Sequence, residues 1–279
     1  MATFNIQAGI GSRRPRHLLT YSHRYVLPHR QLLANLGLIA EQLADFDIVA
    51  LQETDSGSFR THHIHQAEYI AFKSGMPHCH TQVTRAISRV ARISLGLLSR
   101  FPCIHLERHR LPASRHGRGL MEAVLNVHGR ELAVFVTHLS LRQASRMRQM
   151  DFLIRRLNRH DSALLMGDLN CEPGSPEFRH LLAATRLSPP RHAPATFPSW
   201  RPARRLDHIL GTPDIAFHGL SAMPFVCSDH LPVAATLSLQ AATSPEPDHA
   251  PMPRQAMARA MRPAPETGAA KTGQQKEER

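Results

Sequence analysis

Short apolar runs recur along this chain, and nearly every one stops at a side chain able to bind a metal ion or carry a proton. TFNIQAG contains Asn5, DIVALQET offers Glu53, AVFVTHL offers His138, ALLMGDLN offers Asp168 and Asn170, and FVCSDHLPV offers Asp229 and His230. A further run, RLDHIL, places Asp207 inside a strand. Such apolar runs read as short buried strands. More strands are expected near 78–86, 92–98, 103–110, 120–127, 131–138, 223–226 and 233–239, with His128-Gly129 as a hairpin turn. Helical periodicity falls at 31–44, 62–74, 142–159 and 175–184; in the third, Met147, Met150, Ile154 and Leu157 share a face and arginines line the other. Strands interleaved with helices make a layered α/β fold. Ligands in such folds sit at strand ends, so the residues that close the runs are expected to share one pocket.

Each residue taken singly has an ordinary structural explanation. Glu53 fits a solvated loop, Asp168 and Asn170 fit a turn or helix cap, and His138 fits a hydrogen-bonded core histidine. Asp207 resists such a reading, because a carboxylate inside a strand is costly without a partner. The whole set, in this chain order, points to chemistry. Oxygen donors from Asn, Asp and Glu select Mg²⁺ or Mn²⁺ over softer metals, and Asp and His can move protons.

Composition bounds the partners. Lys and Arg total 34 against 22 for Asp and Glu, giving a formal charge of +12. That excess favours an anionic partner: nucleic acid, a phospholipid headgroup or a small phosphate ester. Only Lys73, Lys271 and Lys276 are lysines, and arginine suits bidentate contact with phosphate. Aromatic residues are 5%, too few for base stacking to be the main grip. The four cysteines show neither metal-ligand nor disulfide spacing. Neither a signal peptide nor a transmembrane helix is recognisable, so a cytoplasmic protein without stable membrane insertion is expected; nothing names an oligomeric partner. A single domain is expected over 1–240, followed by a disordered tail over 241–279, where large apolar residues are nearly lacking. The segment 11–30 is basic and irregular, 186–204 is a proline-rich loop, and His62, His63 and His65 fit a surface cluster.

On the stretches FNIQAG, LQET, THLSL, GDLNCEP, RLDHIL and SDHLPV, with GLLSRFP as a central strand, the chain resembles the endonuclease/exonuclease/phosphatase superfamily. That group includes DNase-I-like nucleases, abasic-site endonucleases, inositol polyphosphate phosphatases and bacterial sphingomyelinases. The resemblance implies a four-layer αββα sandwich of two mixed β-sheets. It also implies a metal-dependent hydrolase of phosphate esters, with a phosphodiester of nucleic acid or a lipid headgroup placed first. A small phosphomonoester of inositol-phosphatase type comes second, and phosphate-ligand binding without catalysis third. By the same resemblance Glu53 would hold the divalent metal, with Asn5 and Asp229 close to it or to its water shell. Asp168 would deprotonate the attacking water, and Asn170 would hold that water or a phosphoryl oxygen. His230 would bind the phosphate, Asp207 would fix the His230 tautomer, and His138 would contact the phosphate from the opposite side. Arg118, just before a strand leading to the site, is a candidate substrate contact. Gln7 departs from the pattern, standing where many relatives carry a basic residue.

Overall fold

The computed structural model describes residues 1–112, 117–188 and 192–240; the tail expected over 241–279 lies outside the described residues. In chain order the elements are β1 (Ala2–Asn5), α1 (His17–Thr20), α2 (Leu32–Leu43), β2 (Ile48–Asp55), α3 (Gln66–Ser74), β3 (His78–Ile87), β4 (Ala91–Ser99), β5 (Cys103–Arg110), β6 (Gly119–Val127) and β7 (Arg130–His138). There follow α4 (Gln143–Leu157), β8 (Ala163–Asp168), α5 (Pro176–Ala184), β9 (Asp207–Gly211), β10 (Ile215–Ala222) and β11 (Val233–Leu239).

Two mixed sheets form, one ordered β10-β11-β1-β2-β4-β3 and the other β5-β6-β7-β8-β9. Alternation along the strands divides their side chains between three buried layers. Val49 and Leu51 of β2 pack with Leu36 and Ile39 of α2 and with Ile70 of α3. Their neighbours Ile48 and Ala50 face the second sheet, where Val134, Val136, Leu164 and Met166 meet them. Phe135 and Leu165 turn the other way, onto Met150 and Leu153 of α4 and Phe178 of α5. The order helix, sheet, sheet, helix follows: a four-layer α/β sandwich. No helix among the described residues is long and apolar enough to cross a membrane.

Several sequence expectations shift for local reasons. β1 stops at Asn5, because Gln7 and Ala8 take left-handed backbone (φ 48° and 50°) in a 3-10 turn. α3 starts at Gln66, after His62 and His63 turn left-handed at φ 51° and 61°. No strand forms at 223–226; the strand lies earlier, at β10, and pairs with β11. Pro224 has no N–H to give a ladder, whereas β10 is a half-buried edge strand broken by a register shift between Phe217 and Gly219. The inward stripe of α4 is Met150, Leu153 and Leu157, with Ile154 and Met147 only partly covered. Two arginines of that helix are held by acids: Arg146 by buried Glu177 at 2.6 Å and Arg156 by buried Glu122 at 2.6 Å.

Candidate active site

Strand register does most of the assembly. β7 and β8 run parallel and pair His138 with Asp168, while β9 runs antiparallel to β8 and pairs Asp168 with Asp207. Paired residues on adjacent strands project to one face, so these three side chains form a single row. The rung just before it depends on Gly167, whose φ is 140° and whose missing Cβ would lie 2.0 Å from the Thr137 carbonyl oxygen. On the facing sheet, β1 ends at Asn5, and Asn5 Nδ2 donates to Asp168 Oδ2 at 3.2 Å, tying the two sheets together. A register shift in β2 between Leu51 and Thr54 re-aims Glu53, whose φ is 53°. The loop before β11 supplies Asp229 and His230.

Asp168 is the centre. The Asn170 N–H donates to its Oδ1 at 2.9 Å, and two imidazoles approach its Oδ2: His138 Nε2 at 3.4 Å and His230 Nε2 at 3.7 Å. Those imidazoles differ in charge. His230 Nδ1 lies 2.8 Å from Asp207 Oδ2. Burial alone would lower the His230 pKa, but Asp207, Asp168 and Asp229 outweigh it and raise the value to about 10. His138 instead takes Arg118 Nη1 on its Nδ1 at 3.0 Å. Burial first, then Arg118 and His230, push its pKa well below the usual imidazole range. An imidazole that accepts at Nδ1 carries its proton on Nε2, the atom facing Asp168. Burial and the Asp207 charge lift Asp168 to about 7, against the pull of His230 and its hydrogen bonds.

The remaining expected residues lie at the same crevice. Glu53 Oε1 is 3.9 Å from His138 Nδ1, and its carboxylate, 33% exposed, makes no hydrogen bond among the described residues. Burial chiefly, and Glu53 in addition, raise Asp229 to about 6, against the effect of His230. Asn170 Nδ2 donates to the Leu139 carbonyl at 3.0 Å, leaving the amide fixed. Glu53, Asp229 and Asn5 offer only hard oxygens, and the repulsion between the two carboxylates is what a divalent cation relieves, so the donor set fits Mg²⁺ or Mn²⁺. Asp168, Asp207 and His230 also bring ligand atoms within 4.8 Å of one another. That trio fits a cation less well, because Nδ1 of His230 is committed to Asp207 and the ring is held as imidazolium.

Other residues at the site carried no signal in the sequence. Thr196 Oγ1 donates to Asp207 Oδ2 at 2.5 Å, and the Phe197 ring lies against His230 with centroids 4.9 Å apart. Both come from the proline-rich loop, where no pattern marks a site. Tyr25, from the irregular basic segment, accepts from Gln7 Nε2 at 2.7 Å and faces Glu53 across a small recess. His62 and His63 are exposed, and exposed His65 is paired only with Glu68 at 3.6 Å. His208 is buried against the Cys171 carbonyl, a packing role.

Comparison with known proteins bears on the family and the fold. The family model described as "Endonuclease/Exonuclease/phosphatase family" matches residues 2–230. No curated protein matches the chain. Among solved structures, an endonuclease/exonuclease/phosphatase from Beutenbergia cavernae superposes with a TM-score of 0.67 at 18% identity, over 86% of this chain and 71% of that one. One from Bacteroides vulgatus gives 0.64 at 18% identity, over 86% and 98%. The mannosyl-6-phosphatase Bt3783 of Bacteroides thetaiotaomicron gives 0.63 at 16% identity, over 85% and 98%. At such identities the superpositions establish the DNase-I-like fold, and the family model, spanning most of the sequence, establishes that the chain belongs to the endonuclease/exonuclease/phosphatase family.

Proposed function

We propose that this protein is a divalent-metal-dependent phosphoesterase, acting first on phosphodiesters. The observation that carries the reading is the Asp168 carboxylate, held by Asn5 and Asn170 between one neutral and one cationic imidazole. Asp168 takes a proton from the attacking water, whose oxygen forms the new bond to phosphorus as the bond to the leaving oxygen breaks. Asn170 positions that water or a phosphoryl oxygen. His230, kept as imidazolium by Asp207, binds the phosphoryl oxygens and opposes the charge that grows on them. His138 contacts the phosphate from the other side through Nε2–H, and Arg118, bonded to its far nitrogen, adds fixed positive charge. Glu53, Asp229 and Asn5 would hold the cation, directly or through its water shell, and a cation there supplies charge neutralisation and a more acidic water. The departing oxygen takes its proton from solvent.

A phosphomonoester is the second reading, favoured by the presence of a mannosyl-6-phosphatase among the structural relatives. Both are tested by incubating the protein and Mg²⁺ with plasmid, single-stranded DNA, RNA, sphingomyelin, glycerophospholipid, inositol phosphates and bis-p-nitrophenyl phosphate, beside EDTA controls. Turnover abolished by EDTA and by Asp168→Ala is expected. Turnover that survives both, or none on any ester, rejects the proposal.

A further inference from the structure

Beside Glu53 the crevice opens into a recess of about 210 Å³, lined by Tyr25, Glu53, Arg60, Arg85 and Arg118. Three guanidinium groups around so small a space call for an accounting of charge. Arg60 is neutralised, since its Nε lies 2.8 Å from the fully buried Asp55 carboxylate. Arg118 spends one Nη on the neutral His138 and has no carboxylate within ion-pair distance among the described residues. Arg85 has neither an ion pair nor a side-chain hydrogen bond among the described residues. It sits just past a register shift in the edge strand β3, at a rung paired with Ile93, which is itself paired with Asp55. A bulge of this kind re-aims the side chain that follows it. Burial lowers the Arg118 pKa, Glu53 and Asp168 act to raise it, and Arg85 is close enough to lower it a little further.

Glu53 is the one carboxylate among the described residues that lines the recess, with Asp168 acting on Arg118 from beyond it, and a cation held by Glu53 cancels the Glu53 charge. The recess then presents the guanidinium groups of Arg85 and Arg118, of which Arg85 has no ion-pair partner among the described residues. At about 210 Å³ the recess has room for a phosphate and its linking carbon. A dianion matches that charge and volume. An internal phosphodiester carries one charge and would leave one arginine unmatched.

We propose that this recess is a subsite for a phosphomonoester group, so that the favoured substrate carries a terminal phosphate in addition to the ester that is hydrolysed; this rests on the phosphoesterase reading above. The terminal phosphate can belong to a phosphorylated polyol or to the end of an oligonucleotide. Two substrate pairs separate these sources: inositol 1,4-bisphosphate against inositol 1-phosphate, and the dinucleotide pTpT against TpT. With Mg²⁺, the doubly phosphorylated member of one pair is expected to show at least a ten-fold higher kcat/KM. Arg85→Ala should bring that ratio close to one, and Arg85→Lys should restore part of it. Binding gives a readout free of turnover. Calorimetric titration of inorganic phosphate into Asp168→Asn protein with Mg²⁺ should give a Kd at least ten-fold weaker once Arg85→Ala is added. Equal kcat/KM within both pairs, while bis-p-nitrophenyl phosphate is still cleaved, overturns the subsite and leaves the hydrolase standing. A ratio that survives Arg85→Ala also overturns it. Should no ester be cleaved at all, the hydrolase reading fails, and a phosphate Kd indifferent to Arg85→Ala disposes of the subsite as well.

Discussion

Two buried carboxylate clusters in this molecule bring acids and histidines together in similar numbers, and they are built to opposite ends. One surrounds Asp168; the other surrounds Glu122, in the middle of β6. Both Glu122 oxygens are satisfied: Oε2 by Arg156 Nε at 2.6 Å and His109 Nε2 at 3.0 Å, and Oε1 by His160 Nε2 at 2.8 Å. Burial would raise its pKa, but Arg156, His160 and His109 outweigh burial and depress it. The guanidinium already stands where a metal would be needed. Around Asp168 the reverse holds. The carboxylate is pushed up rather than down, and Asp207 Oδ1 is buried without a hydrogen-bond partner. The first cluster is a finished ion network that fastens α4 to the sheet. The second keeps unmet demand for positive charge and for a proton, as expected of a place where a reacting group must enter.

That contrast can be broken in four ways. The largest effect should come from Asp168→Asn, which lowers kcat/KM toward bis-p-nitrophenyl phosphate by about 10³-fold or more. A carboxyl whose pKa rises on folding weakens the fold above its unfolded pKa, so the same variant in EDTA at pH 8 should melt no lower than the parent, and higher if the contrast is right. Next, Glu122→Gln should cost about 1–3 kcal/mol in urea unfolding, because the buried carboxylate that meets Arg156, His109 and His160 becomes a neutral amide that cannot satisfy all three. Its turnover per folded molecule should stay within two-fold of the parent. A smaller effect concerns pH. Glu122 is depressed on folding, so its contribution is present above the ordinary glutamate value of 4.5 and is lost as pH falls through the folded value. The urea midpoint of the parent should therefore drop between pH 5 and pH 3 more steeply than that of Glu122→Gln; parallel curves would remove Glu122 from the account. Smallest of all is Glu107→Gln, since Glu107 meets Arg156 at 2.8 Å but is 39% exposed, and screened pairs of that kind contribute below about 1 kcal/mol.

The sequence exposed these two clusters unequally. Asn5, Glu53, His138 and Asp168 were readable because each closes an apolar run, and a break in hydrophobicity at a strand end is a one-dimensional signal. Asp207 and His230 were readable as polar residues in or beside a strand. Glu122 also interrupts an apolar strand, GLMEAVLNV, yet its partners at 107, 109, 156 and 160 come from an edge strand, a helix and a turn, and no spacing announces them. Arg85 and Tyr25 escaped for the same reason: a bulge and an irregular segment decide where they point. β10 was missed because IAFHGLSA is half exposed and interrupted by glycine, while the more apolar MPFV just after it forms no ladder. Patterns along the chain report burial well, and convergence from separate elements poorly.

The left-handed backbone at Glu53 bears on how this protein would drift under artificial selection. A non-glycine residue there costs roughly 1–2 kcal/mol, of which glycine would recover a part, its greater freedom in the unfolded chain offsetting the rest. Passaging a gene library at rising temperature, with survival scored by solubility alone, should therefore enrich Glu53→Gly early and return a hardier protein that has lost a carboxylate from the crevice.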